Sequence, residues 1–148
     1  MITTSKVRVR YAETDQMGVV YHSNFLVYFE IARTDYFRQF GFTYRELEKE
    51  GVFMPVTECF CRFDRSAYYD DELDIVTTLE MMSRLKLRFH YEVYRNNSEK
   101  IAEGYTMHVP VNSSGKPCKI PAAYLAAFPV KEDARESDAR QGIRNQAL

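Results

Sequence analysis

The sequence predicts an α+β protein in which a five-stranded antiparallel sheet wraps around one long helix. Apolar residues recur at spacings of three and four between residues 23 and 40, which is typical of a helix covered on most sides. One strand-like segment precedes this helix, and four more follow it, joined by short turns. No other segment is long and apolar enough to cover the sheet, so we expect the sheet to curl around the helix.

The first strand is expected over residues 6–11. Val7, Val9 and Tyr11 alternate with Arg8 and Arg10, and this period of two is typical of a half-buried strand. A turn at residues 15–18 then separates the strand from the helix, and its glycine can adopt a positive φ.

The long helix is expected over residues 23–40. Ser23 or Asn24 is a suitable N-cap, and Gly41 is a suitable stop. A shorter helix is expected over residues 44–50, ended by Gly51. The apolar stripe of the long helix consists of Phe25, Phe29, Ala32, Tyr36 and Phe40.

The remaining strands are expected over residues 54–63, 72–82, 85–95 and 101–111, with a short helix over residues 121–128. Asn96 to Ser98 reads as a hairpin turn between the last two strands. The inward-facing residues are predicted to be Leu85, Leu87, Phe89, Tyr91 and Val93 in one strand, and Ile101, Tyr105, Met107, Val109 and Val111 in the next.

Length and composition exclude several classes of protein. The chain has 148 residues, which predicts one domain over residues 1–128 followed by a charged tail, frayed or weakly helical, over residues 129–148. The net charge of −1 gives no reason to expect a nucleic-acid partner, and no apolar run approaches the length of a membrane span. The three cysteines and the absence of an apolar leader favour a cytoplasmic protein with reduced thiols.

The turn at Asp15 brings a carboxylate close to the start of the long helix. Free backbone N–H groups at a helix N-terminus stabilise negative charge, and a carboxylate can activate water or attack a carbonyl directly. This pairing suits attack on a carbonyl carbon. An aspartate in a turn is nevertheless more often a simple turn former, which bonds to nearby backbone.

Three stretches carry a family resemblance. Residues 11–25, YAETDQMGVVYHSNF, resemble the signature of the hotdog-fold acyl-CoA thioesterases, in the branch of 4-hydroxybenzoyl-CoA thioesterase and the bacterial Tol–Pal-cluster thioesterase. Residues 30–33 and 62–73 extend the resemblance, which covers roughly residues 5–128. Ser66-Ala67 stands where the family usually has Pro-Ala.

The resemblance implies a hotdog fold, a homo-oligomer and an acyl-CoA substrate without a metal or redox cofactor. Family subunits pair edge to edge as dimers, often dimers of dimers, with the active site at the subunit boundary. Asp15 would be the catalytic acid, and the backbone N–H groups near Tyr21 to Ser23 would bind the thioester carbonyl. Further candidates for catalysis are Tyr21 and His22, and candidates for substrate binding are Gly18, Val19, Ser23, Asn24 and Glu30.

Several of these residues have competing interpretations. The ring of His22 is a tempting base, but packing is expected to be its main role, with its backbone N–H mattering more. Tyr21 and Asn24 could line the pocket or cap the helix. Glu30 could reach the pocket or pair with a charge such as Arg33, because a buried carboxylate needs a partner.

The sequence also contains basic side chains and side chains of the types that bind metals. Arg and Lys suit the phosphates of CoA, which makes Arg65, Ser83, Arg84 and Lys86 candidates for phosphate binding, against the alternative of a solvated surface. Cys59 and Cys61 share one side of a strand, but no metal-binding spacing accompanies them or His90 and His108, so no metal is expected.

The function that follows is hydrolysis of an acyl-CoA to a free acid and CoA. Asp15 would act as general base or as nucleophile, and the sequence does not separate the two roles. The alternatives are an enoyl-thioester hydratase of the same fold and a non-catalytic acyl-thioester binding protein. The acyl group, and whether CoA or an acyl-carrier protein delivers it, also stay open.

Overall fold

The computed structural model of the protein describes residues 1–128, and the predicted tail at 129–148 lies outside them. In chain order the elements are β1 (Ile2–Arg8), a 3-10 turn (Tyr11–Glu13), α1 (Asn24–Gln39), α2 (Tyr44–Lys49), β2 (Val56–Phe63), β3 (Glu72–Met82), β4 (Leu87–Arg95), β5 (Glu99–His108) and α3 (Ala122–Ala127). No helix in this part of the chain is long and apolar enough to cross a membrane.

The five strands form one antiparallel sheet in the order β1-β3-β4-β5-β2. The predicted α+β class and antiparallel sheet are therefore confirmed. β1 and β2 are the two edge strands. β2 is exposed along most of its length, whereas β3, β4 and β5 bury alternate side chains, as expected for a sheet with one covered face.

The longest helix, α1, packs its aromatic stripe on the inner face of the sheet. The ring of Phe29 stacks on Tyr91 of β4 with centroids 4.2 Å apart, and Tyr36 meets the edge of Phe89 at 5.4 Å. Gly104 of β5 makes this approach possible. A Cβ there would lie 2.9 Å from Cε2 of Phe29 and would overlap the carbonyl oxygen of Phe60 on β2.

A polar network crosses the inner face of the sheet beside this aromatic contact. The hydroxyl groups of Tyr91 and Thr106 are 2.8 Å apart, and Thr106 Oγ1 lies 2.9 Å from Nε2 of His108. Nδ1 of His108 lies 3.1 Å from the carbonyl oxygen of Met54. Every polar atom of these side chains thus has a partner, which is why such groups are tolerated inside. Burial lowers the pKa of His108 to about 4.

This network explains why the residues on the inner face of β5 differ from those predicted. Tyr105 and Met107 point outward, and Gly104, Thr106 and His108 occupy the inner face of β5 instead. The prediction placed apolar residues inside, whereas the space beneath Phe29 needs a glycine and the polar residues satisfy one another. The register irregularity between Val93 and Tyr94, where β4 pairs with β5, accompanies the change of face.

Two further predictions about β-structure were wrong. β1 begins earlier than expected, with Thr3, Ser5 and Val7 facing inward, and Tyr11 is exposed in the 3-10 turn against Tyr69. Leu85 lies in the turn before β4 and is exposed, because Ser83 accepts hydrogen bonds from the N–H groups of residues 85 and 86 and closes that turn.

The turns and helix ends largely match the predictions. Gly41 follows α1 with φ +81°, and Asn96 and Asn97 have φ +53° and +61°, the left-handed pair that a tight hairpin requires. Element ends differ by one to three residues for α1, α2, α3, β2 and the end of β5. The sequence reading missed a capping box at α2, where Thr43 and Glu46 bond reciprocally.

The buried imidazole predicts a pH-dependent stability. His108 is neutral when folded and takes up a proton more readily when unfolded, so the unfolded chain binds more protons between about pH 4 and 6.5. The contribution of the neutral imidazole to stability is therefore fully present above pH 6.5. It is lost as the pH falls through this window. Between pH 7 and pH 4.5, the free energy of unfolding of the wild type, measured with urea, should fall by about 2 kcal/mol more than that of H108Q. Equal losses would contradict this prediction.

The close approach at Gly104 predicts that added volume there is costly. G104A should lower the free energy of unfolding by about 1–3 kcal/mol, because the methyl group forces α1 and β2 away from β5. Urea denaturation at pH 7 measures the change. An unchanged unfolding midpoint in G104A would show that the sheet accommodates the side chain freely.

Candidate functional site

The segment between β1 and α1 folds into a small hairpin. Thr14 pairs with Val20, the N–H of Asp15 donates to the carbonyl oxygen of Val19 at 2.8 Å, and the N–H of Gly18 donates to that of Asp15 at 2.9 Å. Gly18 has φ +79°, so the predicted glycine turn is present. Val19 pairs with Tyr68, which attaches the hairpin to the loop before β3.

Asp15 is half-buried at the start of this hairpin. Its Oδ1 accepts hydrogen bonds from the N–H groups of Met17 at 2.8 Å and Val19 at 3.4 Å, as an ordinary turn-forming aspartate does. Its Oδ2 has no hydrogen-bond partner among residues 1–128. The carboxylate is therefore fixed through one oxygen and available through the other.

The start of α1 offers two unoccupied donors. The N–H groups of residues 24, 25 and 26 donate to the carbonyl oxygens of Tyr21, His22 and Ser23, and the N–H of Tyr21 donates to Glu13. The N–H groups of His22 and Ser23 have no partner in the described chain. Of the backbone N–H donors expected near residues 21–23, two are therefore available, and they lie at the positive end of a 16-residue helix.

One of the two predicted N-caps of α1 is in place, but without the expected capping bond. Ser23 occupies the N-cap position, but its side chain makes no capping bond. The side chain of Asn24 donates instead to the carbonyl oxygen of Glu13 at 2.9 Å. Asn24 therefore joins the helix to the segment ahead of the hairpin.

Glu13 is a site residue that the sequence reading missed. Its side chain is only 6% exposed and accepts hydrogen bonds from the backbone N–H of Arg10 at 2.7 Å and the hydroxyl of Tyr28 at 3.2 Å. The Arg10 guanidinium lies 3.3 Å from its second oxygen. The spacing Arg10–Glu13 carried a signal, because a glutamate three residues after the N-cap of a helical turn can bond back to the N–H of the N-cap residue.

An aromatic group borders the helix start. The ring of His22 lies 4.3 Å from that of Tyr21 and 6.4 Å from that of Phe63 at the end of β2, and Phe25 lies 5.1 Å from Phe63. Both Tyr21 and Phe63 are about half exposed. His22 is exposed and its ring contacts those of Tyr21 and Phe63, so the site opens beside edge strand β2.

The candidate phosphate-binding residues divide between two ends of the sheet. Arg65 follows β2 on the same end as Phe63, and its Nε lies 3.3 Å from Glu99. Ser83, Arg84 and Lys86 lie in the turn after β3, whose residue 72 pairs with Arg8 just ahead of the hairpin. That turn is therefore about 33 Å from the hairpin end of the same sheet.

Glu30 lines a cavity rather than the hairpin. This cavity, of about 300 Å³, is formed by α1, α2 and the segment before β2, and Asp15 does not line it. Glu30 and Arg33 both face it without an ion pair between them in the described chain. The hydroxyl of Tyr44, which also lines it, is buried without a hydrogen-bond partner among residues 1–128. The lining residues are Glu30, Arg33, Thr34, Tyr44, Glu48 and Met54.

One group of side chains has donor atoms close enough to hold a metal ion. Donor atoms of His90, Glu92 and Glu103 lie within 4.8 Å of one another on the outer face of the sheet. Lys100 lies 2.5 Å and Arg62 3.0 Å from Glu103, so these carboxylates already have cationic partners.

Cys59, Cys61 and Cys118 are free thiols, and burial raises the pKa of Cys61 to about 12.

The chain is similar to several known thioesterases. The model of the thioesterase-like superfamily matches residues 9–128. YneP from Bacillus subtilis is 33% identical over 128 residues, covering 86% of this chain and 91% of its own. The acyl-CoA thioester hydrolase YbgC from Escherichia coli is 31% identical over 123 residues, covering 82% and 92%. The DHNA-CoA thioesterase structure from Staphylococcus aureus has a TM-score of 0.82 at 29% identity, covering 99% and 95%.

Proposed function

Because the chain belongs to the thioesterase-like superfamily, we propose that it hydrolyses an acyl-CoA to a free carboxylic acid and CoA. The observation that carries the proposal is a hairpin that holds Asp15 just ahead of α1, closed by the bond of Asp15 to Val19 and by that of Tyr21 to Glu13. One carboxylate oxygen is anchored in the hairpin and the other has no partner in residues 1–128, while two N–H groups of the helix start are unoccupied. A thioester needs little more, since its carbonyl is electrophilic and its thiolate leaves well.

In the proposed reaction, the thioester carbonyl oxygen accepts hydrogen bonds from the N–H groups of His22 and Ser23. These donors, and the positive end of α1, stabilise the negative charge that develops on that oxygen. In one route, the free oxygen of Asp15 removes a proton from water as the water attacks the carbonyl carbon, the C–S bond breaks, and the CoA thiolate takes up the proton. In the other route, that oxygen attacks the carbonyl carbon itself and expels the CoA thiolate to give an anhydride, which water then hydrolyses to the free acid and the Asp15 carboxylate. Label from oxygen-18 water in a single turnover distinguishes the two routes, since only the second leaves label in Asp15.

D15N provides the direct test. The asparagine keeps an oxygen that can accept from the N–H of Met17, so the hairpin and the stability should persist. Thiol release from a panel of acyl-CoA esters should fall about 10²–10⁴-fold, because the general base or nucleophile is lost. D35N, which removes a carboxylate paired with Arg38 near the other end of α1, is the matched control and should keep wild-type turnover.

The same panel separates the rival functions. A non-catalytic binding protein would hold the esters without steady release of thiol, and a hydratase would consume an enoyl-CoA without freeing any. Full activity in a folded D15N protein would remove Asp15 from the mechanism. Extending the panel to acyl-carrier-protein thioesters tests which carrier delivers the acyl group.

The proposal includes a homodimer that pairs through β2. Edge strand β2 carries exposed Val56, Phe60 and Phe63, and its end lies against His22 and Phe25 at the start of α1. Exposed apolar side chains also continue along α1 at Leu26 and Ile31. An unpaired apolar edge is a ready surface for a second copy. Dimers of dimers are a further possibility within the proposal.

Antiparallel pairing of two β2 strands would bring together residues that one subunit separates. In such a dimer, a two-fold axis passes between the two β2 strands, the seam of the dimer. The end of each sheet that lacks the Asp15 hairpin then lies beside the hairpin end of the other sheet. The partner's turn with Ser83, Arg84 and Lys86 would then lie at the same end as Asp15 and Arg65. Basic groups there suit the phosphates of CoA, while the cavity at Glu30 is the candidate for the acyl group.

F60K tests the seam. A lysine on an edge strand opposes edge-to-edge pairing, so F60K should shift the protein from dimer to monomer in analytical ultracentrifugation and should lower turnover with it. I2K, which places the same charge on the opposite edge strand β1, is the matched control and should stay dimeric. Monomers in I2K and dimers in F60K would place the seam on β1.

The proposal needs no cofactor, because water, one carboxylate and two N–H donors complete the hydrolysis. A cytoplasmic location is also part of it. All three cysteines are free thiols, which suits a reducing compartment.

A further inference from the structure

A buried carboxylate lies two residues ahead of Asp15 and is not used by the proposed chemistry. We propose that Glu13 and Tyr28 form a tether that fixes the Asp15 hairpin against the start of α1, and that this tether positions the site for turnover. The inference rests on the proposed function and deepens it, since it assigns a positioning role to two residues that do not touch the substrate.

The side chain of Glu13 joins two elements. One oxygen accepts both the backbone N–H of Arg10, at 2.7 Å, and the hydroxyl of Tyr28 on α1, at 3.2 Å. Burying a carboxylate costs free energy unless its hydrogen bonds compensate, and an apolar side chain would fill the same space without that cost. The carboxylate is therefore better explained by the two donors that it holds than by packing.

The backbone of Glu13 holds the helix at two more points. Its carbonyl oxygen accepts the N–H of Tyr21 and the side-chain amide of Asn24, both at 2.9 Å. One residue thus bonds to positions 21, 24 and 28, which bracket the unoccupied N–H groups of His22 and Ser23. The distance from Asp15 to those donors is set largely through Glu13.

Tyr28 is suited to act as a permanent donor. Its ring is fully buried, and its pKa is raised beyond its ordinary range, first by burial and then by the charge of Glu13. The hydroxyl therefore keeps its proton across the working pH range. Loss of this bond leaves the Glu13 carboxylate with Arg10 alone, whose guanidinium is largely exposed.

A tether of this kind acts on turnover more than on substrate affinity. Misplacing a reacting group by about 1 Å can cost about 10²-fold in rate, while binding of CoA depends on contacts elsewhere. Y28F should therefore lower kcat about tenfold and leave KM within about twofold. E13A should lower kcat further, and E13Q, whose amide oxygen can still accept both donors, should restore most of it.

Y36F is the matched control. Tyr36 is also a fully buried tyrosine of α1, and its hydroxyl donates to the carbonyl oxygen of Met1 at 3.3 Å, away from the hairpin. Y28F and Y36F each delete one buried hydroxyl from the same helix, so a merely structural role predicts equal effects. The tether predicts a drop in kcat for Y28F only, together with faster amide hydrogen exchange over residues 15–25.

Each outcome decides between the two proposals. Unchanged kcat in Y28F, or an equal drop in Y36F, would overturn the tether while leaving the thioesterase proposal intact. A wild-type protein that releases no thiol from any ester would refute the proposed function instead. Hydrogen exchange still tests the tether in that case, and equal exchange in Y28F and wild type would overturn it.

Discussion

The site depends on how closely α1 can approach the sheet. Phe29 stacks on Tyr91 because Gly104 leaves room beneath it, and this contact fixes the depth of the helix in the sheet. A helix held at another depth would present its N-terminus elsewhere relative to the hairpin after β1. The glycine is thus a requirement of the site as much as of the core, although it lies on a strand far along the chain.

The direction of α1 is fixed by a second set of contacts, which are polar. The aromatic stripe is tolerant of rotation and sliding, because dispersion contacts are numerous and individually weak. Hydrogen bonds from residues 21, 24 and 28 to Glu13 are directional and few, so they select one placement of the helix start. Packing therefore supplies most of the stability, and polar contacts supply the geometry that chemistry needs.

The sequence predicted the class, the element order and the turn at Asp15, because each follows from local periodicity or turn chemistry. It failed where a position is determined by contacts distant in sequence. The inner face of β5 carries Gly104, Thr106 and His108 because Phe29 and Tyr91 require them, and no alternation within β5 reveals that. Glu13 was missed for the same reason, since its partner Tyr28 lies fifteen residues away on another element.

The placement of the hairpin also bears on the proposed homodimer. The helix start must reach solvent to bind an ester, yet the same opening exposes Phe63, Tyr21 and the free edge of β2. An exposed apolar edge favours association, and association closes the opening on one side. Because α1 begins beside the edge of the sheet, the same placement leaves the carboxylate accessible and exposes a surface for a second copy. The proposed homodimer, with catalysis between its two subunits, would satisfy both consequences together.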